Sequence, residues 1–217
     1  MSDIERFNRQ TPREELFNAL SHGLGTLLAI GGTPVLIVYA ALHGDALSIV
    51  SASLYGASMI VLYLFSTLYH AITNVKGKRV LQVFDHCSIF LLILGTYIPV
   101  TLSLIRGWLG WTLFGINAGL MVLGVVLNAV SVRKFHKFSI VLYLLMGWSV
   151  LPAMNILIEK VNVQGFLIAL LGGLFYTVGV IFYKKEGVRY THFIWHLFVI
   201  AGSVCFYFFV LLYCLAC

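Results

Sequence analysis

The chain consists of long apolar stretches separated by short clusters of charged residues, and each apolar stretch is about as long as a membrane-spanning helix. Asp, Glu, Lys and Arg fall in short clusters, and long apolar stretches separate those clusters. A helix needs about 20 apolar residues to cross a hydrocarbon core of about 30 Å. The charge-free stretches all reach that length, and there are seven of them: 16–44, 46–75, 86–105, 107–132, 138–158, 161–183 and 190–217. The pattern therefore predicts seven transmembrane helices.

We expect an all-α, polytopic bundle in which residues 18–217 form one transmembrane domain and residues 1–17 form a cytoplasmic N-terminal segment. Transmembrane strands would alternate apolar and polar residues, whereas these stretches are continuously apolar. Because the predicted connections are short, consecutive helices should pack as antiparallel neighbours. The predicted spans are 18–41, 47–72, 82–103, 108–130, 138–158, 165–183 and 191–215.

The composition excludes an ordinary soluble domain. Of the 217 residues, 60% are hydrophobic and only 10% are charged, whereas about a quarter of the residues in a soluble domain are charged. Seven spans leave almost no chain for a second domain. The function must therefore be carried out in or at a membrane.

The net charge of +6 reflects membrane topology. Twelve of the 14 basic residues lie in the N-terminal segment and in alternate connections, around residues 76–79, 133–137 and 184–189. Only Arg106 and Lys160 lie in the remaining connections. Basic residues concentrate on the cytoplasmic side, so we predict a cytoplasmic N-terminus and an external C-terminus. The expected partners of these charges are membrane lipids with anionic headgroups, rather than nucleic acid.

Histidines and one carboxylate recur at a single depth in the predicted bundle. His192 and His196 lie four residues apart, hence on one helical face. His70 follows Ser66 at the same spacing near the end of the second span, and Asp85 lies near the start of the third. All of them come within about 5–10 Å of the predicted cytoplasmic charge layer, at 1.5 Å per helical residue. A carboxylate inside a membrane normally needs a partner or a function.

This convergence predicts a metal site with His70, His192 and His196 as ligands. Three imidazoles with an open fourth position are the arrangement in which zinc activates water. Asp85 would accept a proton from that water or hold it in place, and Ser66 would orient it or stabilise an oxyanion.

Two further histidines are expected outside this ligand set. His86 lies about 100° around the helix from Asp85, so both cannot face one ion; we expect His86 to support or pack against the site. His22, on the first helix, is expected to be structural or to support the ligands.

The chain resembles the hemolysin III family, the bacterial branch of the progestin and adipoQ receptor family. The resemblance lies in "EELFNALSHGLG", "STLYHA", "FDHCSIFLLILGTYIP" and "HFIWHLF", in this order, and it extends over essentially the whole chain. It implies seven helices and a cytoplasmic N-terminus. Similarity to adiponectin receptors, and more distantly to alkaline ceramidases, implies zinc held by His70, His192 and His196 beside Asp85 and Ser66, and hydrolysis of lipid amides.

Three functional hypotheses follow. The first is a zinc-dependent hydrolase of the bacterial inner membrane that cleaves a lipid-derived amide or ester bond. The second is a non-enzymatic sensor of the membrane state in which zinc fastens the helices together. The third is a membrane-lytic pore, which would need a continuous polar path across the bilayer.

Overall fold

The computed structural model describes residues 10–185 and 187–216, and within these ranges the chain is helical with no β-strand. Part of the predicted N-terminal segment, residues 1–9, lies outside the described residues. Short π-helical turns follow the third and sixth helices, at Pro99–Ile105 and Val210–Cys214, and a 3₁₀ turn at Leu151–Ala153 precedes the fifth. The α-helices of the described ranges are α1 (Pro12–His43), α2 (Ala46–Ala71), α3 (Val75–Ile98), α4 (Gly107–Gly147), α5 (Met154–Tyr183) and α6 (Thr191–Phe209).

Five stretches of the described residues are long and apolar enough to cross a membrane. They are α1, α2, α3 with its π turn, the whole of residues 107–183, and α6 with its π turn. Large apolar side chains such as Leu27 and Val130 are about 70% exposed, and lipid contact explains an apolar exterior of this kind. The prediction of an all-α, multi-pass membrane protein is confirmed.

The stretch 107–183 differs from its predicted division into three separate spans. The predicted loop around residues 131–137 is helical, because it contains neither Gly nor Pro and its Lys and Arg residues are good helix formers. Only Ser131 leaves the helical conformation in α4 (φ −167°, ψ 104°), and only Asn162 does so in α5 (φ 56°). The larger interruption comes at 148–153, around Pro152.

Side-chain contacts show that the chain folds back at Ser131 and at Asn162. Asn117 donates a hydrogen bond to Ser149 Oγ at 2.7 Å, although 32 residues of straight helix would separate the two by about 48 Å. Trp148 likewise donates to Thr177 Oγ1 at 3.1 Å across the break in α5. The region is therefore a set of packed helical segments.

Helix α1 begins at Pro12, ahead of the predicted start of the first span at residue 18. Thr11 caps it: its hydroxyl accepts from the Glu14 amide, and the Glu14 carboxylate accepts from the Thr11 amide. Proline at the first helical position needs no hydrogen-bond donor there. This start places residues 14–22 on one continuous helix, which is important for the site described below.

The helices pack in chain order from α1 to α4, α5 packs on α6, and α6 returns to α1. Small residues allow close approach, as they commonly do in membrane bundles. Gly25 on α1 lies against the ring of Tyr63 on α2, where an added Cβ would come within 2.6 Å of that ring. The Tyr63 hydroxyl in turn donates to Ser203 on α6 at 2.7 Å. These contacts hold α1, α2 and α6 together around the site.

We call the end of the bundle at which α1 begins, α2 ends and α6 begins the histidine end, and the opposite end the far end. At the far end, Asp45 and Arg106 form an ion pair at 2.8 Å. It links the turn between α1 and α2 to the turn between α3 and α4.

Candidate metal centre

Three histidines from two helices meet at the histidine end. His70 lies in the last turn of α2, and His192 and His196 lie in the first two turns of α6. One ring nitrogen of each can be chosen so that all three lie within 4.8 Å of one another. The ring centroids are 4.7 Å apart for the pair on α6, and 5.0 and 5.1 Å apart between His70 and each member of that pair. The structure thus brings together residues separated by more than a hundred positions in the chain.

The start of α6 is held in place by α1. Tyr190, just before the helix, adopts a left-handed conformation (φ 60°), and its amide donates to Glu14 Oε1 at 2.8 Å. Glu14 therefore both caps α1 and fixes the turn that leads into His192. This contact sets where α6 begins relative to α1, and thus where its two histidines point.

A carboxylate and an ammonium group orient His70. Glu15 Oε2 on α1 lies 2.7 Å from His70 Nδ1 and accepts a hydrogen bond from its N–H, since an ionised carboxylate can only accept. The second oxygen of Glu15 accepts from Lys78 Nζ of α3 at 2.8 Å. This arrangement leaves His70 Nε2 with a free lone pair. A carboxylate behind a histidine ligand is a recurrent support in metal sites.

Helix α1 also orients His196, through a backbone carbonyl and a hydroxyl group. His196 Nδ1 lies 3.3 Å from the carbonyl oxygen of Asn18 and 3.2 Å from the Ser21 hydroxyl. A carbonyl oxygen can only accept, so this nitrogen carries the proton and Nε2 has the lone pair. Helix α1 gives no ligand to this group of three histidines, yet it holds two of them in one tautomer.

The donor set fits a metal ion. His70 Nε2 is buried and has no hydrogen-bond partner among the described residues, which is unusual for a buried polar atom. It belongs to the one group of His, Cys, Asp and Glu side chains in the described ranges that converges closely enough to hold an ion. Three neutral imidazoles suit zinc, and they also suit copper, nickel and iron. The geometry supports a metal site and leaves the identity of the metal open.

The predicted Asp85 and Ser66 are buried and line a cavity beside the histidines. Asp85 Oδ2 lies 3.5 Å from His86 Nδ1. His86 Nδ1 also donates to its own helix, at the carbonyl oxygen of Gln82, 2.9 Å away. His86 therefore contacts Asp85 and lies outside the group of three converging histidines.

The cavity has a volume of about 150 Å³. Its polar wall is at the histidine end, where His22, Ser66, Asp85, His86, His192 and His196 line it. From there it extends between α2, α3, α5 and α6 along apolar side chains that include Leu92, Val100, Phe166 and Phe209. A cavity with one polar end and a long apolar body suits a molecule with a polar head and a hydrocarbon chain.

A second cavity, of about 240 Å³, reaches the site from the other side. It lies between the start of α1 and the connection from α5 to α6, and its polar lining includes Glu14, Lys185 and Arg189. His192 borders both cavities. His192 therefore lies between an apolar and a polar compartment.

Sequence reasoning missed the residues that support the ligands. Glu15, Asn18 and Ser21 recur at every third position along α1, a helical spacing that the capped start at Thr11 makes continuous. That periodicity of polar residues before an apolar run was the available signal. Lys78 gave no signal, because it resembles any basic residue of the charge layer, yet it is 7% exposed.

Comparison with known proteins gives a consistent assignment. The sequence model of a family described as "Haemolysin-III related" matches residues 10–207. The chain is 43% identical to Hemolysin-3 of Bacillus cereus, over 97% of each chain, and 43% identical to a Hemolysin-3 homolog of Bacillus subtilis (strain 168), over 94% of this chain and 96% of the relative. It is also 27% identical to the human monocyte to macrophage differentiation factor, over 92% of this chain and 84% of the relative.

Proposed function

The chain belongs to the haemolysin III family of membrane proteins, and on that basis we propose that it is a zinc-dependent hydrolase that cleaves a lipid-derived amide or ester bond. One observation carries the proposal: two of the three converging imidazoles, those of His192 and His196, line the polar end of an otherwise apolar cavity, with a buried carboxylate on the same wall. An enzyme acting on a lipid needs these two elements side by side.

Zinc held by His70, His192 and His196 would supply the Lewis acidity that makes water nucleophilic near neutral pH. Asp85, which is buried and lines the cavity, would accept a proton from the attacking water and pass it to the leaving amine or alcohol. Ser66, one helical turn before His70, lines the cavity together with Asp85, and its hydroxyl would orient the water or the substrate oxygen. The apolar body of the cavity would hold the acyl chain.

We also propose seven membrane crossings with a cytoplasmic N-terminus. The fold-backs at Ser131 and Asn162 divide residues 107–183 into three segments, which supports three crossings there besides α1, α2, α3 and α6. The distribution of basic residues supports the orientation. The histidine end would then face the cytoplasm, and its basic residues would meet anionic lipid headgroups. The Bacillus relatives support a location in the cell membrane of a bacterium, the inner one where there are two.

The decisive experiment measures metal and turnover on the same purified samples. Wild-type protein in lipid nanodiscs is analysed for bound metal by mass spectrometry and assayed against N-acyl amides and acyl esters of graded chain length. We expect about one zinc per chain and hydrolysis of at least one substrate class. In Asp85→Asn, metal should remain while turnover falls by about 100-fold or more, the range for loss of a general base.

The control is His43→Asn, an exposed residue at the far end, which should behave as wild type. A wild-type protein free of transition metal would refute the proposal, as would full turnover in Asp85→Asn. Bound metal without any hydrolysis would favour a membrane-state regulator in which the metal fastens α2 to α6.

A further inference from the structure

His22 on α1 is a buried polar side chain with poor hydrogen bonding. It is 3% exposed, and neither Nδ1 nor Nε2 makes a hydrogen bond of ordinary geometry within the described residues, although the backbone of His196 lies near the ring. A neutral imidazole carries one N–H donor and one acceptor lone pair. Leaving these groups poorly paired inside a protein is costly, so this ring needs a better hydrogen-bonding partner than the folded chain provides.

The packing around His22 prevents the ring from turning towards another protein group. Its face stacks on His196, with the ring centroids 3.5 Å apart and the planes 9° from parallel. The edge of Tyr63 packs against it at 5.1 Å. Tyr63 is itself tied to Ser203 by a hydrogen bond of 2.7 Å. His22 is therefore held rigidly beside a candidate ligand.

The same stacking argues against His22 as a fourth ligand. A histidine binds a metal through a lone pair that lies in the plane of its own ring. Because the rings of His22 and His196 are nearly parallel and their centroids lie 3.5 Å apart, their in-plane lone pairs do not converge on one point. Among the described residues, the group of converging ligand atoms contains His70, His192 and His196 without His22.

His22 lines the apolar cavity at its polar end, together with Ser66 and Asp85. Both ring nitrogens are buried behind this wall, so a small shift of the wall would let an occupant of the cavity supply the missing partner. An occupant whose hydrocarbon chain fills the apolar body would bring its polar head to this wall. For a lipid amide, ester or fatty acid, the first group that reaches it is the carbonyl or carboxylate.

We propose that His22 donates a hydrogen bond to the carbonyl oxygen of the lipid bound in the cavity, which makes it a substrate-binding residue of the candidate site. The proposal rests on the proposed function for the identity of the lipid. Negative charge would grow on that oxygen as water attacks the carbonyl carbon, and a fixed donor stabilises such charge without rearrangement. His22 keeps its proton throughout.

The test uses palmitate, a product of the proposed reaction, and hexadecane, which has the chain without the carboxylate. Binding of both radiolabelled compounds is measured on purified, zinc-loaded protein together with metal content. His22→Phe keeps a flat ring for stacking and removes both nitrogens. His22→Gln keeps a donor and serves if the phenylalanine variant does not fold. The matched control is His43→Phe, the same substitution at an exposed histidine of the far end.

We expect His22→Phe to keep its metal, to bind palmitate about 10-fold more weakly, and to bind hexadecane as wild type does, since one hydrogen bond to a charged group is lost. His22→Gln should retain part of the affinity for palmitate, and His43→Phe all of it. Unchanged palmitate binding in both His22 variants would overturn the inference. Loss of metal in both would also overturn it, because His22 would then serve the metal site instead.

The outcome separates this inference from the hydrolase proposal. Palmitate binding that depends on His22, in a protein that hydrolyses none of the amides or esters, would support the binding role and refute the enzymatic one. If His22→Phe and His22→Gln hydrolysed the substrate with unchanged KM and kcat, the hydrolase proposal would be supported and the binding role of His22 refuted.

Discussion

Two ion pairs at opposite ends of the bundle, Glu15–Lys78 and Asp45–Arg106, have the same length and different surroundings. Glu15 and Lys78 at the histidine end lie 2.8 Å apart, as do Asp45 and Arg106 at the far end. The side chains of the first pair are 17% and 8% exposed, and those of the second are 44% and 38% exposed. The first pair also has a third member, since Glu15 accepts from His70.

The comparison shows that burial and a third partner determine how much each ion pair contributes to the stability of its end of the bundle. Removing one member of a buried pair leaves an uncompensated charge and typically costs about 3–5 kcal/mol. An exposed pair is screened by water and salt and contributes little. We therefore interpret Glu15–Lys78 as the support that fixes His70, and Asp45–Arg106 as a weak clamp between two turns.

The largest expected effect comes from removing a candidate ligand at the histidine end. His192→Ala should lower metal affinity by more than about 100-fold. Loss of a residue that only supports a ligand lowers metal affinity by up to about 100-fold, and loss of a ligand should cost more. Hydrolysis should disappear with the metal. The measurement is metal content after dialysis against a graded series of chelators. His43→Ala at the far end is the control, and equal metal retention in the two variants would contradict the site.

Glu15→Gln should have the next largest effect, a loss of about 10- to 100-fold in metal affinity. The amide can present N–H groups to His70 Nδ1, which disfavours the tautomer that leaves Nε2 free to bind metal. Competition with a fluorescent zinc chelator measures the change. Asp45→Asn is the matched control, because it neutralises the corresponding acid of the far-end pair, and it should bind metal like wild type. If Glu15→Gln bound metal as tightly as wild type, Glu15–Lys78 would be no more important for the site than Asp45–Arg106.

Gly25→Ala tests whether the close approach of α1 and α2 stabilises the histidine end. The new Cβ would meet the Tyr63 ring at 2.6 Å, and such overpacking costs about 1–3 kcal/mol. Gly31→Ala on the same helix meets no atom within 4 Å, so it should be neutral or stabilise by up to about 1 kcal/mol through helix propensity. Thermal unfolding in one detergent compares them. Equal melting temperatures would show that α1 can shift away from Tyr63 at no cost.

The smallest effect is expected at the far end, as a dependence of stability on pH. The Arg106 side chain and the Ser48 amide hold the pKa of Asp45 down, from 3.8 to about 2. A carboxyl group whose pKa is lowered by folding stabilises the fold at pH values above 3.8. That stabilisation is lost as the pH falls from 3.8 towards 2. The melting temperature of wild type relative to Asp45→Asn should therefore decline slightly across this window. High salt should reduce the difference; a difference that stays constant with pH would show that the pair adds no stability.

Several features of the site were predictable from sequence because they depend on local spacing. The pair His192 and His196 shares a face because α-helices repeat every 3.6 residues. His70 and Asp85 were placed at the same depth by counting from charge clusters. The supporting contacts could not be derived in this way. Lys78 was assigned to the charge layer, and only the packing of α3 on α2 and α1 brings it to Glu15.

The sequence by itself determined that this is an all-helical membrane protein, because charges cannot remain in hydrocarbon and their spacing sets the length of each apolar stretch. It also determined which residues are chemically capable of holding a metal. Only the tertiary structure decided which nitrogen of His70 and His196 faces the site, where the chain turns back at Ser131 and Asn162, and that His22 stacks on His196. Those features depend on contacts between helices far apart in the chain, and the direction of a side chain across such a contact is set by packing that no local pattern encodes.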